Sequence, residues 1–191
     1  IGEVSIDQAR VIVGWLQQQG RTDLDIIDVG CGAGWLCEQL SAFGQVIGTD
    51  LADEVIARAA LRVPSARFLS GDFMELNFGD KTFDVITSLE VLPHVADQRA
   101  FISKLAGLLR PGGHLMFAVQ NRWALERNDV PPPAPGQIRR WVDCDELSEL
   151  LSREFEIEAL FSITPRFNRG ALKYLNSRKL HWSASKRSAG P

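Results

Sequence analysis

The sequence predicts an α/β fold, a doubly wound and mostly parallel sheet with helices on both faces. Three observations predict it. Short apolar runs of strand length alternate with helical stretches along most of the chain. Several of those runs are apolar almost throughout, as strands buried on both faces of a parallel sheet must be. Glycine-rich or acidic turns follow the first three runs, where open α/β sheets bind ligands.

The first stretch, residues 6–19, repeats Ile6, Ala9, Val13 and Leu16 at helical spacing, and Gly20 closes it. Strands are predicted at residues 24–29, 45–49, 66–69, 83–88, 114–119 and 155–161. Helices are predicted at 34–43, 53–61, 95–109 and 144–152. Residues 131–136, rich in proline, read as a connection, because proline continues neither a sheet nor a helix interior. The last helical reading, 170–180, leaves residues 182–187 as a weak place for a further strand.

The 191 residues suffice for one domain with a sizeable core. Hydrophobic residues make up 45% and charged residues 24%, an ordinary balance for a globular protein. A net charge of -3 argues against a nucleic-acid binder. Residues 165–191 nevertheless hold seven of the 21 basic residues and no acid, which reads as a solvated tail or as a clamp for an anion. Three cysteines fit a reducing compartment, the cytoplasm, and an odd number disfavours a disulfide framework. Cys31 and Cys37 lack the spacing of metal ligands, so no metal is expected. No apolar run approaches a membrane span, and residues 1–10 lack the apolar core of a signal peptide. Because the chain begins at Ile1, the expectation is a fragment or a processed product.

The most informative stretch is Asp28-Val29-Gly30-Cys31-Gly32-Ala33-Gly34. A buried strand runs into glycines at every second position and then into a helix, so a ligand can approach the backbone and meet helix-start N–H groups. A dinucleotide fingerprint needs a third glycine three residues after the second, where this chain has Trp35 or Cys37. The carboxylate of Asp28 suits a cationic ligand better than a diphosphate. The second strand ends at Thr49-Asp50, followed by Leu51. An acid there takes ribose hydroxyls or simply caps the next helix. After the third strand, Gly71-Asp72-Phe73 offers a carboxylate and a ring to a purine, or a plain turn.

These residues, with Phe83–Leu89 and the following Glu90-Val91-Leu92, and with Leu108-Leu109-Arg110-Pro111-Gly112-Gly113, resemble the class I S-adenosylmethionine-dependent methyltransferases. The resemblance covers residues 6–119 and implies a Rossmann-like single domain, with part of one or both termini missing. It implies that Gly30, Gly32 and Gly34 surround the methionine moiety of S-adenosylmethionine with Asp28 near its ammonium. Asp50 and Leu51 would face the ribose, Asp72 and Phe73 the adenine, and Leu89 the cofactor below the sulfonium. Residues 90–95 are similar to the quinone-biosynthesis subgroup. Members there hold a divalent metal with a second glutamate before the histidine, and this chain has Pro93 at that position. Members of the family also end in a strand hairpin whose last strand is antiparallel.

In such an enzyme the cofactor carries the activated methyl group, so the protein needs only to align the acceptor and, for some acceptors, remove a proton. His94 is the first candidate base, facing the pocket after the fourth strand, or else a packing residue at a helix start. Asn121, Arg122 and Trp123 follow the fifth strand and, with Arg166 after the sixth, are candidates to bind an anionic or aromatic small molecule. Trp141 is a further wall candidate, while Trp15 and Trp35 read as helix packing. Rival readings are a nucleic-acid or protein methyltransferase and a non-catalytic cofactor-binding domain. The Asn/Asp-Pro-Pro-aromatic motif that grips a flipped base is absent, since Ser88-Leu89-Glu90-Val91 stands there.

Overall fold

The structure, a computed structural model, describes residues 2–126, 131, 133–163 and 183–186. The helices are α1 (Glu3–Gln19), α2 (Trp35–Leu40), α3 (Asp53–Arg62), α4 (Gln98–Leu108), α5 (Arg122–Leu125) and α6 (Cys144–Ser152). The strands are β1 (Leu24–Val29), β2 (Gly44–Asp50), β3 (Arg67–Ser70), β4 (Phe83–Leu89), β5 (Leu109–Ala118), β6 (Phe155–Ala159) and β7 (Ser183–Lys186). They form one sheet in the order β3-β2-β1-β4-β5-β7-β6. β1 pairs in parallel with β2 and β4, β2 with β3, and β4 with β5. β7 is antiparallel to both β5 and β6.

Successive side chains of a strand point to opposite faces, so a sheet covered on both sides needs apolar residues at every position. The middles of the central strands meet that demand. Ile27, Ile86, Leu115 and Phe117 pack on one face with α4 and α6. Their chain neighbours Ile26, Val85 and Met116 pack on the other with α1, α2 and α3. Trp15 and Trp35 lean on that second cluster, as the sequence predicts.

Strand order reverses between β1 and β4, whose ends lie side by side with Val29 opposite Ser88. This is the switch point at which the carboxyl ends of the strands open a crevice. At the other end of the sheet, Arg110 ties three strands together. Its guanidinium donates to Asp84 at 2.7 Å and to Asp25 at 2.6 Å. Residues 109–113, which precede the strand predicted at 114–119, form the irregular first half of β5. Pairing shifts between Phe83 and Val85 to accommodate them.

Local capping explains where the helices begin. Asp97 accepts from the Ala100 N–H and starts α4 three residues later than the apolar pattern implies. A short 3₁₀ turn, Leu92–His94, fills the gap. Asp143 and Glu146 form a reciprocal capping box at α6. The weak strand at 182–187 is realised as β7, while the helical reading of 170–180 lies outside the described residues. No helix among the described residues is long and apolar enough to cross a membrane.

Candidate active site

The glycine loop leaves β1 in a left-handed conformation at alternate residues, with φ of 75° at Gly30, 54° at Gly32 and 74° at Gly34. L side chains rarely adopt such values, which explains the glycine spacing. The three positions differ in what surrounds them. A Cβ on Gly30 would lie 2.2 Å from Val91 Cγ2, and one on Gly34 would press on Phe68 and Ala59. A Cβ on Gly32 would meet nothing within 4 Å, so open space faces the middle of the loop.

Asp50, at the end of β2, accepts from the Gly32 N–H at 3.0 Å through Oδ2 and from the Ala52 N–H at 3.2 Å through Oδ1. It thereby braces the loop as well as standing beside its open side. Leu51 follows with 73% of its surface exposed, an apolar platform at the crevice. Asp72 closes a turn by accepting from the Met74 N–H at 2.9 Å and is itself exposed. Together the open loop, the strand-end carboxylates and the exposed leucine fit an adenosyl group carrying an amino acid.

Two expectations about this half of the site are corrected. The Asp28 carboxylate is 3% exposed and turns inward. It accepts from Thr87 Oγ1 at 2.7 Å and from Cys37 Sγ at 3.4 Å rather than facing the loop's open side. Burial, only partly offset by those two hydrogen bonds, raises its pKa to about 6, and the charge of Asp50 adds to the rise. The Cys37 thiol is pushed up, first by its hydrogen bond with Cys31, then by burial and the nearby Asp28 charge, so it stays a donor. The Phe73 ring is 9% exposed and packs edge-on against Phe101 at 5.5 Å with Lys104 above it. It is a core residue and offers no face to a purine.

Beyond the ends of β4 and β5 lies a cavity of about 690 Å³. Leu89, Phe117, Ala118 and Val119 form its floor, Val4, Gln8 and Ile12 of α1 one wall, and Leu147 of α6 another. Leu89, expected at the cofactor, and Asn121, expected at the substrate, both line this cavity. Asn121 also caps α5 by accepting from the Trp123 N–H at 3.0 Å.

Arg122, Trp123 and His94 lie elsewhere. The Arg122 guanidinium is engaged by Asp143, Glu146 and Glu126, with Glu146 at 2.9 Å, so it joins α5 to α6 instead of offering charge to a substrate. Trp123 is 60% exposed and outside the cavity wall. Trp141 lines a second cleft together with Arg139, whose guanidinium lies over its ring. His94 is exposed on the 3₁₀ turn and does not line the cavity. Its Nδ1 lies 3.2 Å from the Ile138 carbonyl, which can only accept, so Nδ1 carries the proton in the neutral ring. Arg166 lies outside the described residues.

Sequence reasoning missed Glu90 as a site residue. Glu90 is the one non-glycine residue with positive φ among those described, at 62°. Its Oε1 accepts from Gln8 Nε2 at 2.9 Å, its backbone N–H donates to the Ala118 carbonyl at 2.8 Å, and the residue borders the cavity.

A profile described as a methyltransferase domain matches residues 27–117, from β1 through the glycine loop to β5. Residues 27–117 thus carry a methyltransferase domain, and the chain is similar to proteins named as S-adenosylmethionine-dependent methyltransferases. A protein of Mycolicibacterium smegmatis named "Probable S-adenosylmethionine-dependent methyltransferase" is 30% identical over 156 residues, 81% of this chain and 59% of that protein. A ubiquinone biosynthesis O-methyltransferase of Nitrobacter winogradskyi is 40% identical over 104 residues, 52% of this chain and 40% of that protein. The chain thus spans about half the length of these curated relatives. A crystal structure of an S-adenosylmethionine-dependent methyltransferase from Mesorhizobium loti shares the fold. Its TM-score is 0.70 at 24% identity, over 93% of this chain and 98% of that one.

Proposed function

We propose that this domain binds S-adenosylmethionine at the glycine loop and transfers its methyl group to a small molecule seated in the 690 Å³ cavity. The observation that carries the reading is the position of that cavity. Glu90 and Leu89 at its edge are continuous with Val91, which touches the glycine loop at Gly30, so the two compartments share a wall. Gly30, Gly32, Gly34, Asp50, Leu51, Asp72 and Leu89 would hold the cofactor. Asp28 supports the loop from beneath. When bound, the cofactor supplies a methyl group activated by a positively charged sulfur.

The chain's own residues align the acceptor and exclude water. A concave, mostly apolar space of this size suits a small molecule. The naming of a relative as a ubiquinone biosynthesis O-methyltransferase agrees with such an acceptor. The three cysteines are free thiols, which supports a reducing compartment such as the cytoplasm.

Calorimetric titration with S-adenosylmethionine, S-adenosylhomocysteine and NAD tests the first half. The adenosyl ligands should bind and NAD should not. Radiolabelled methyl transfer from the cofactor into a cell extract tests the second. Label is expected in the dialysable fraction, and label confined to retained protein or nucleic acid would overturn the reading.

Asp50→Ala is expected to weaken binding of S-adenosylhomocysteine by about 1–3 kcal/mol, because charge-assisted bonds are lost and the Gly32 N–H loses its brace. Unchanged affinity in the same titration would remove Asp50 from the site. His94→Ala is expected to leave turnover far above the ~10²-fold loss that removal of a general base produces. Its ring stands outside the cavity. A loss of that size, with the melting temperature unchanged, would return His94 to catalysis.

A further inference from the structure

We propose that Glu90 is the acceptor-binding base of this enzyme, its Oε2 taking the O–H of an uncharged acceptor while its negative charge turns anionic acceptors away. The proposal rests on the reading that the cavity holds the acceptor. Three features of Glu90 carry it.

Its backbone is left-handed, a strained conformation for a non-glycine residue that persists only where surrounding contacts impose it. Its Oε2 is fully buried and has no hydrogen-bond partner among the described residues, a state that costs a carboxylate more than it costs a neutral group. The hydroxyls of Thr49 and Ser88 share that state but carry no charge. Strain and an unanswered buried acceptor therefore coincide at one residue, at the edge of the cavity.

The placement is held from two sides. Gln8 reaches from α1 to occupy Oε1, and the Gln120 backbone also hydrogen-bonds the carboxyl, while Oε2 has no partner within hydrogen-bond distance among the described residues. The Glu90 N–H on the Ala118 carbonyl pins the residue against the end of β5. Burial raises the carboxyl above its ordinary pKa, while Gln8, the Gln120 backbone and the charge of His94 pull it back. A carboxylate of raised pKa is the better proton acceptor near neutral pH.

The described lining residues of the cavity include no lysine, arginine or histidine. Its other acid, Asp143, is paired with Arg122. Among these described residues an anionic acceptor would meet one unopposed carboxylate and no cation. A hydroxyl on an apolar body meets an acceptor and apolar walls. As the acceptor oxygen bonds to the methyl carbon, its O–H bond breaks and the proton passes to Oε2. The O–H electron pair stays on oxygen, and the C–S pair leaves with sulfur. The carboxylate and the sulfonium lose their opposite charges together, so charge balances.

The test uses the full chain saturated with S-adenosylhomocysteine at pH 8, titrated calorimetrically with 2-naphthol and with 2-naphthoate. These probes share one apolar body and differ in the hydroxyl and the charge. The wild type should bind 2-naphthol at least about tenfold more tightly than 2-naphthoate. Glu90→Gln should bring the two affinities together, with unchanged affinity for S-adenosylhomocysteine and a melting temperature no lower than the wild type's. A purely structural glutamate would lose stability and leave the preference intact. Should Glu90→Gln fold poorly, Glu90→Asn removes the same charge with a side chain that tolerates left-handed backbone. Equal binding of both probes by the wild type, a preference that survives in the variants, or no naphthol binding by a chain that binds S-adenosylhomocysteine would each overturn the proposal. Failure to bind S-adenosylhomocysteine would overturn the methyltransferase reading beneath it.

Discussion

Gly30→Ala is expected to destabilise the domain by about 2–5 kcal/mol and to abolish cofactor binding. Two costs add. An L residue at φ 75° loses about 1–2 kcal/mol relative to glycine. The new Cβ would stand 2.2 Å from Val91 Cγ2, and overpacking of a well-filled contact costs about 1–3 kcal/mol more. The relief available is movement of Val91 or of the loop itself, and each displaces a wall of the site. Urea denaturation measures the first effect and titration with S-adenosylhomocysteine the second. Gly32→Ala is the control. It carries the same kind of backbone cost at φ 54° but no clash, so it should lose less stability while still placing a methyl group in the ligand's space. Equal stability of the two variants would mean that the Gly30–Val91 contact is loose.

That contact also links the halves of the site. Val91 follows Glu90 directly, so the residue that limits the glycine loop adjoins the one that borders the cavity. Neither fact is visible in the chain. Loop spacing was legible because positive φ at Gly30, Gly32 and Gly34 leaves a glycine signature. Positive φ at a glutamate leaves none. Strands β1, β2 and β4 were legible because burial on both faces demands unbroken apolar runs, as Ile26-Ile27 and Val85-Ile86 satisfy from opposite sides. β7 was nearly illegible because Ser-Ala-Ser-Lys carries no apolar pattern. Its place follows from backbone pairing with β5 and β6, which sequence periodicity does not record.

The misplaced site residues have a common cause. Phe73, Arg122 and His94 were assigned by their position after a strand end, and position alone does not give direction. Phe73 turns toward Phe101 because the α4 face needs a filler there. Arg122 turns toward the acids of α6, which lie 21 and 24 residues further along the chain. His94 is drawn to the Ile138 carbonyl, 44 residues away. Long-range partners decided each orientation, and a single sequence names no partners.

Asp28 provides the second large effect, and its sign depends on pH. The folded protein holds its carboxyl at about 6 against an ordinary 3.8, because burial disfavours the charge. The folded state therefore binds the proton more tightly than the unfolded chain does. Its contribution to stability is fully present below pH ~4 and is lost as pH rises through about 6. The full loss corresponds to roughly 3 kcal/mol, at about 1.4 kcal/mol per pKa unit. Asp28→Asn removes the ionisation while its amide oxygen still accepts from Thr87. The variant should match the wild type near pH 4 and exceed it by up to about 3 kcal/mol at pH 8, in urea titrations at both values. The gain falls short of that limit to the extent that the new amide N–H finds a poorer partner in the Cys37 sulfur than the carboxylate found in its thiol. Comparing variant with wild type isolates this carboxyl from Glu90, whose raised pKa gives the same sign. Cofactor affinity separates support from contact. A carboxylate turned toward Thr87 and Cys37 acts on the ligand only through the loop, so Asp28→Asn should shift S-adenosylhomocysteine binding by less than about tenfold. A larger loss at unimpaired stability would mean that the carboxylate swings out to meet the ligand's ammonium, and that its burial belongs to the ligand-free state alone.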